Sequence, residues 1–506
     1  MKTIAMSAWR QMNLTQNLWA VVDVQGRPMT VDHPGGVPRL VISLFASDPS
    51  VHQYRQGFGL DAEVRTIAQP FEDWMRSVEC GQESFCVRVF TDIEVWVVVP
   101  DDVSKDGYVE ANDVPVTAFR ELGIRGFAQV PPTMPVEQPG EGAGTPNSSE
   151  HRRCALLRDG TMVARLHTER YTTDWGAKTL FLESVGGVVT APEARRTGAT
   201  RELMQNLCRS MREQGIALSA ITTPFSYQFY RKMGWEYGFT RPYYQFSPRL
   251  LSGLDAGHGE AMLWDANKDP FTSTPVDLEA VYLAALQTRY QGFAHRTPKL
   301  WRRHLQGPKT YTYLWYDGSG PSGYVTVRAE EDRWVITELL TCDQNALLGL
   351  LGLVRNFDSQ ADLMEWDALP EVRLDRWLNE PALMTTQYRP QGMFRLIDLQ
   401  QALIQRSYKP ELSLTIDFDV TDELCPWNEG TWQLTIAHEA ASVERLSLVP
   451  SKGTRTFDIR VLSLLYLGLG LPQGLWGGIR GNWDPVLGQI LEHVFAGPTP
   501  LLLEEF

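Results

Sequence analysis

Between Val185 and Tyr237 the chain sets small residues, two arginines and a run of aromatics in an order that can do chemistry. Val185, Val188 and Val189 are β-branched and suit a strand, while Gly186 and Gly187 leave its backbone open to close approach by a ligand. Thr190-Ala191-Pro192-Glu193 ends that strand. Arg195-Arg196-Thr197-Gly198-Ala199-Thr200 then leads into a helical pattern, with Leu203, Met204, Leu207, Cys208 and Met211 on one face and Gly215 placed to cap the end. A helix N-terminus presents unpaired N–H groups, a small-residue loop lets them approach an anion, and arginines add charge-assisted hydrogen bonds. The chemistry implied is pyrophosphate binding. An ordinary strand-turn-helix unit with surface arginines reads the same residues, because the motif is short.

The sequel adds a proton donor. Ile216 to Ile221 reads as a second strand, and Thr223-Pro224 opens a short helix that carries Tyr227, Phe229 and Tyr230 and stops at Gly234. A phenol, with a pKa of about 10, can protonate a departing thiolate of similar basicity. Taken singly, each of the three rings reads equally as a core aromatic.

Together these stretches resemble a family. V-G-G-V-V-T-A-P-E-A-R-R-T-G-A-T is similar to the acetyl-CoA motif of GNAT N-acetyltransferases, and P-F-S-Y-Q-F-Y-R-K-M-G-W-E resembles the following segment of the Eis-type (enhanced intracellular survival) branch. The resemblance implies that Val188, Val189 and Thr190 bind the pantetheine arm through the backbone. It implies that Arg195, Arg196, Thr197, Gly198, Ala199 and Thr200 hold the pyrophosphate, and that Tyr230 is the general acid. Thr197 stands where the family often has a third basic residue, which weakens the charge but not the backbone cradle.

Charge and composition narrow the partners. The net charge of −14 disfavours nucleic acid, whose phosphates demand a basic surface, and favours a cationic substrate. The six cysteines lack C-x-x-C spacing and the nine histidines are dispersed, so neither a zinc site nor a disulfide framework is expected. No run of 18 apolar residues occurs. The expectations are no metal, no membrane and a cytoplasmic home.

At 506 residues the chain is long enough for three or four domains. Residues 1–103 read as a small α+β extension, weakly similar to SseB-like domains. Strands are expected near 18–24, 38–45, 85–90 and 93–99, and a helix over 64–78 despite Pro70. Residues 104–247 form the catalytic unit, with a first strand at Tyr108-Val109-Glu110, a helix from Asp113 and a hairpin at Arg158-Asp159-Gly160. The stretch 131–150, rich in Pro, Gly and Ser, is a substrate-facing loop or a plain linker. Residues 248–392 repeat an acetyltransferase-like α/β order without the cofactor motif, and His295, Arg296 and His304 read there as a solvated helix end. Residues 393–506, with the turn Cys425-Pro426-Trp427-Asn428, resemble the sterol-carrier-like domain that closes Eis proteins. The fold class is therefore α/β (α+β): tandem GNAT-like domains, a sterol-carrier-like domain and an N-terminal addition.

The sequence ends Leu503-Glu504-Glu505-Phe506. Alone this reads as a frayed tail. The resemblance implies instead that the main-chain carboxylate of Phe506 is the general base, while Glu505 and Glu504 attract a cationic acceptor. It further implies acetyl-CoA as co-substrate, an aminoglycoside, polyamine or lysine amine as acceptor, and a homo-oligomer, trimer or hexamer. A rival from another class is a non-catalytic acyl-CoA- or lipid-binding scaffold.

Overall fold

The computed structural model describes residues 107–504 except 111–113, 115, 127–150, 223–224, 255–256, 267, 269–270, 332, 451–452, 454, 471–474, 477–478 and 481–482, together with the backbone of seven strands before residue 107. The 131–150 stretch, Glu505 and Phe506 thus lie outside the described residues. The chain divides into two units, one of residues 1–169 and 186–207, the other of 170–185 and 208–506.

In the first unit, β1 (Lys2–Ala5), β2 (Leu18–Val22), β3 (Thr30–Asp32), β4 (Leu40–Phe45), β5 (Arg65–Gln69), β6 (Phe85–Phe90) and β7 (Val95–Val99) build one mixed sheet ordered β1-β7-β6-β4-β2-β5, with β3 against β4. The helix expected over 64–78 is corrected in part: Arg65–Gln69 is a strand, antiparallel to Leu18–Val22. Its β-branched Thr66 and Ile67 suit a ladder, and Pro70, which can neither donate to the ladder nor continue a helix, follows directly.

β8 (Gly107–Glu110), α1 (Val116–Gly126), β9 (His151–Arg158), β10 (Thr161–Trp175), β11 (Lys178–Thr190) and α2 (Ala199–Glu213) follow, with β10 from residue 170, β11 up to residue 185 and α2 from residue 208 counted in the second unit. The hairpin between β9 and β10 turns on Asp159 and Gly160, both at positive φ (49° and 66°), the geometry a two-residue turn needs to match strand twist. A small core of Val114, Phe119, Leu122, Ala155, Leu157 and Val189 backs these strands.

The second unit holds the rest: β12 (Leu218–Thr222), α3 (Tyr227–Arg231), β13 (Glu236–Phe246), β14 (Glu260–Trp264), α4 (Val276–Leu286), β15 (Tyr290–Gln291), α5 (Pro298–Leu305), β16 (Thr310–Tyr316), β17 (Pro321–Ala329), β18 (Trp334–Thr341), α6 (Gln344–Arg355), β19 (Met364–Asp367) and β20 (Thr385–Leu396). After them come α7 (Leu399–Gln405), β21 (Ser413–Thr421), β22 (Gly430–Ala437), β23 (Ala440–Ser447), β24 (Thr456–Asp458), α8 (Ile459–Tyr466), β25 (Leu475–Trp476), β26 (Ile479–Arg480), α9 (Pro485–Phe495) and β27 (Thr499–Pro500).

Its large sheet runs β14-β16-β17-β18-β19-β13-β20-β12-β11. β20 lies between β12 and β13, antiparallel to both, so a strand made some 150 residues later fills a gap between two near neighbours in sequence. Two cores flank this sheet. One joins Leu218, Phe239 and Phe394 to Phe418 and Trp432 of the C-terminal four-stranded sheet β23-β22-β21-β24 and to Tyr466 of α8. The other packs α4, α5 and α6 on β16 to β18.

Phe394 of β20 is fully buried, with ring centroids 5.6 Å from Trp175, 6.0 Å from Tyr466 and 6.3 Å from Phe239. Phe394→Ala removes the common ring of that cluster and should destabilise the second unit by about 3–5 kcal/mol, read as a lowered denaturant midpoint.

Candidate active site

The residues expected to hold an anion are brought together in the first unit. Along the end of β11 the side chain of Val189 enters the core while Val188 and Thr190 face the other way, the alternation a strand imposes. A single helical turn at Pro192–Ala194 follows, and Arg195, Arg196, Thr197 and Gly198 then stand exposed ahead of α2. Arg196 and Gly198 both have positive φ (65° and 84°). The left-handed conformation is uncommon for arginine and marks a loop whose path is imposed by its surroundings.

Three hydrogen bonds hold that path. Thr190 and Thr200 join their hydroxyls across the mouth of the loop, Thr197 Oγ1 donates to the Ala194 carbonyl (2.7 Å), and the Ala194 N–H donates to Ala191 (2.9 Å). The first turn of α2 then turns its N–H groups toward the loop. A further cation, missed in the sequence, joins them: Arg158, at the end of β9, donates to Thr197 Oγ1 (3.0 Å) and pairs with Glu202 (2.7 Å). The threonine that replaces a third basic residue is thus bonded to a guanidinium from another strand. Only the hairpin signal just after Arg158 hinted at it.

Gly186 and Gly187 serve a second purpose. A Cβ on either would stand 2.7 Å or 2.6 Å from the imidazole of His167, and Gly187 sits at φ 57°. The space above both glycines, expected to be open to a ligand, is filled by that ring. His167 stacks on His151 (centroids 5.6 Å, interplanar angle 14°), and burial, with His151 and Arg165 nearby, pushes its pKa down to about 4. It is neutral at physiological pH. Nothing in the sequence singled it out.

Tyr230 belongs to the second unit. The helix α3 is five residues long and is capped by Ser226, whose Oγ accepts from the Phe229 N–H (3.3 Å). The Tyr230 carbonyl accepts from Met233 (2.9 Å) and Trp235 (3.2 Å), which closes the turn at Gly234. The ring is 3% exposed and packs edge-on against Phe225 and Phe229. Burial raises its pKa above the ordinary phenol value, so the hydroxyl stays protonated well past neutrality. Tyr227 is half-buried against Tyr237.

The C-terminal segment departs from expectation. β27 pairs in parallel with β15, and Leu501, Leu502 and Leu503 are buried. Glu504 is not a solvent-facing lure for cations: its carboxylate is buried, 2.9 Å from Arg296 Nε and 2.5 Å from His304 Nε2. Arg296 also pairs with Glu338 (2.6 Å), which accepts in turn from Tyr324. The reading of Arg296 and His304 as a solvated helix end is therefore corrected. Arg296 is 4% exposed because two carboxylates, one of them 208 residues away, neutralise it inside the protein. His295 bonds Asp174 (2.8 Å). Although burial opposes its ionisation, His304 and Arg296 hold the Glu504 carboxyl far below the usual carboxylate range.

Known proteins share this architecture. Residues 112–238 and 292–396 each match an Acetyltransferase (GNAT) domain family, and residues 399–500 match a Sterol carrier protein domain. The chain carries two acetyltransferase domains and a sterol carrier protein domain. An uncharacterised N-acetyltransferase of Streptomyces coelicolor is 36% identical over 74 residues, which is 15% of this chain and 17% of that relative's length. Among solved structures, a probable N-acyltransferase of Enterococcus faecalis superposes with TM-score 0.67 at 20% identity, over 79% of this chain and 99% of that one. A GCN5-related N-acetyltransferase of Anabaena variabilis gives 0.65 at 20% identity, over 79% and 100%. Eis1 of Mycobacterium abscessus gives 0.58 at 19% identity, over 77% and 97%. At these identities the likeness is one of fold.

The exposed loop of the first acetyltransferase domain, with two arginines, a positive-φ glycine and a helix start, suits the diphosphate of acetyl-CoA, the co-substrate of such domains. Among the described residues no group of three or more His, Cys, Asp and Glu could hold a metal, and no helix is long and apolar enough to cross a membrane.

Replacing Arg195 and Arg196 together by alanine should weaken acetyl-CoA binding by about 10-fold to 100-fold in calorimetry, with a reduced salt dependence. Glu504→Gln should lower stability at neutral pH by about 3–5 kcal/mol, since it leaves Arg296 under-compensated. Because the folded pKa of Glu504 is depressed, its contribution is complete above the unfolded value of about 4.3 and is lost as pH falls below it. Acid unfolding of the variant should therefore be shallower than that of the wild type.

Proposed function

We propose that this protein is an acetyl-CoA-dependent N-acetyltransferase that passes acetyl directly to a primary amine of a cationic acceptor, an aminoglycoside or polyamine. The observation that carries the reading is the β11-loop-α2 cradle of the first acetyltransferase domain, shaped for an anion by Arg195, Arg196 and Gly198. Acetyl-CoA supplies a thioester, whose acyl carbon an amine can attack without an enzyme-bound intermediate.

The chain's own groups then divide the work. The loop and the first turn of α2 hold the diphosphate. The backbone of Val188, Val189 and Thr190 aligns the pantetheine arm, and the Val188 N–H meets the negative charge that grows on the carbonyl oxygen. Tyr230 gives its phenolic proton to the leaving thiolate sulfur as the carbon–sulfur bond breaks, and is reprotonated from water. The resemblance supplies the other half: the main-chain carboxylate of Phe506 takes a proton from the acceptor ammonium, and Glu505 attracts the cation. The net charge of −14 supports a cationic acceptor.

The second acetyltransferase domain takes no cofactor in this reading. Its corresponding helix, α6, is capped by Asp343, whose carboxylate accepts from the Ala346 N–H (2.8 Å). A carboxylate already bonded to that helix start repels a phosphate.

The test follows thiol release from acetyl-CoA with aminoglycosides, simple polyamines and lysine peptides as acceptors. Tyr230→Phe should lose about 100-fold or more in kcat while binding acetyl-CoA normally. Removal of Phe506 should have a comparable effect. Preference for peptides would make the protein a lysine acetyltransferase, and no release with any amine would leave a binding scaffold. Since burial raises the Tyr230 pKa, the wild-type rate should climb as the acceptor amine deprotonates and show no loss from tyrosine ionisation up to pH of about 10.

A further inference from the structure

A five-residue helix has no stability of its own, so the position of Tyr230 is decided by what holds α3 at its ends. The N-terminal end has the Ser226 cap. The other end meets a buried guanidinium from a distant strand. Arg395 of β20 donates from Nη1 to the Met233 carbonyl (2.7 Å), in the turn whose N–H groups bond the carbonyl of Tyr230. Gly234 lies there at φ 89°, and a Cβ on it would collide with Arg395 Nη1, so a glycine is required for the guanidinium to enter. The cation also lies 5.1 Å from the Trp235 ring centre.

The other arm of Arg395 meets the sterol carrier protein domain. Its Nη2 is 2.7 Å from each carboxylate oxygen of Asp422. Asp422 is rigid in its turn: it accepts from the Leu424 and Cys425 N–H groups (3.2 and 3.0 Å) and from Asn428 Nδ2 (2.9 Å), within the Cys425-Pro426-Trp427-Asn428 turn. Both side chains of the pair are at most 1% exposed. A second contact runs parallel to it. Glu236, just past the turn, pairs with Arg231 of α3 (2.6 Å) and lies 3.6 Å from Arg460 of α8, again from the sterol carrier protein domain.

The geometry points to Arg395 and Asp422 as positioning residues for the proton transfer, by which the sterol carrier protein domain fixes the orientation of Tyr230 through the Met233 carbonyl. This rests on the reading of Tyr230 as proton donor. It gives the C-terminal domain a part in the chemistry that needs no lipid ligand. Breaking the chain lets α3 shift, and a displacement of about 1 Å at a reacting group is enough to cost up to two orders of magnitude in rate.

The experiment is a double-mutant cycle on the full chain. Asp422→Asn keeps the shape and removes the charge. We expect kcat to fall roughly 10-fold to 100-fold with KM for acetyl-CoA unchanged within about twofold. On a Tyr230→Phe background the same substitution should cost nothing further, because the group it orients is gone. Arg395→Lys keeps a charge opposite Asp422 but gives up the arm to Met233. The same kcat-only loss there supports the proposal even if Asp422→Asn accumulates poorly. Folded variants with wild-type kcat overturn it, and so does an equal loss with and without the tyrosine hydroxyl. Full activity of Tyr230→Phe alone is a separate outcome, which removes the donor assignment itself.

Discussion

A charge taken out of water must find its opposite or a set of dipoles, and three buried arginines of the second unit show where that constraint leads. Arg395 finds Asp422, Arg296 finds Glu338 and Glu504, and Arg406 finds the carbonyls of Tyr466 and Phe495. Each partner lies in a different stretch of the chain. Removing one member leaves an uncompensated charge, so the elements joined this way cannot be exchanged piecemeal. Hydrophobic packing would tolerate small slides of one layer on another, whereas a fork of N–H groups aimed at a carboxylate or carbonyl fixes the register.

The same constraint explains what could be read in advance. The hairpin at Asp159-Gly160, the helix carrying Leu203, Met204, Leu207 and Met211, and the five-residue aromatic helix with Tyr230 rest on local signals: turn conformation, periodicity and capping. Those elements were legible, and with them the loop of Arg195, Arg196 and Gly198 between strand and helix. Arg296 was not, because the meaning of an arginine after a turn depends on a glutamate 208 residues away. Arg395 carried no signal for the same reason. His167 occupies an ordinary alternating position on a strand, and only the paired glycines opposite it, read as room for a ligand, left a trace. The strand Arg65–Gln69 went unread because its two β-branched residues, Thr66 and Ile67, are too few to decide alone and its pairing with Leu18–Val22 is long-range.

The two acetyltransferase domains begin their corresponding helices differently. Both place a helix after a strand, and both must satisfy the first N–H groups of that helix. In the second domain Asp343 does so from within the chain. In the first, the loop reaches the helix through Arg195, Arg196, Thr197 and Gly198, and its threonines bond to the loop and to each other. In the second domain a carboxylate closes the helix start, whereas in the first Gly198 stands just ahead of the helix.

The strand β20 carries a consequence for how the protein is made. It lies between β12 and β13 in the sheet, yet it is synthesised at the end of the second acetyltransferase domain, residues 292–396. While the ribosome is adding residues 247 to about 384, the first domain has two open strand edges where β20 will lie, and exposed edges invite pairing with other chains. Completion of the sheet is thus a late, long-range event in biosynthesis, slow by the loop it must close. A nascent chain stalled in that interval has the loop of Arg195 to Gly198 but lacks the strand that brings Arg395 to the Met233 carbonyl.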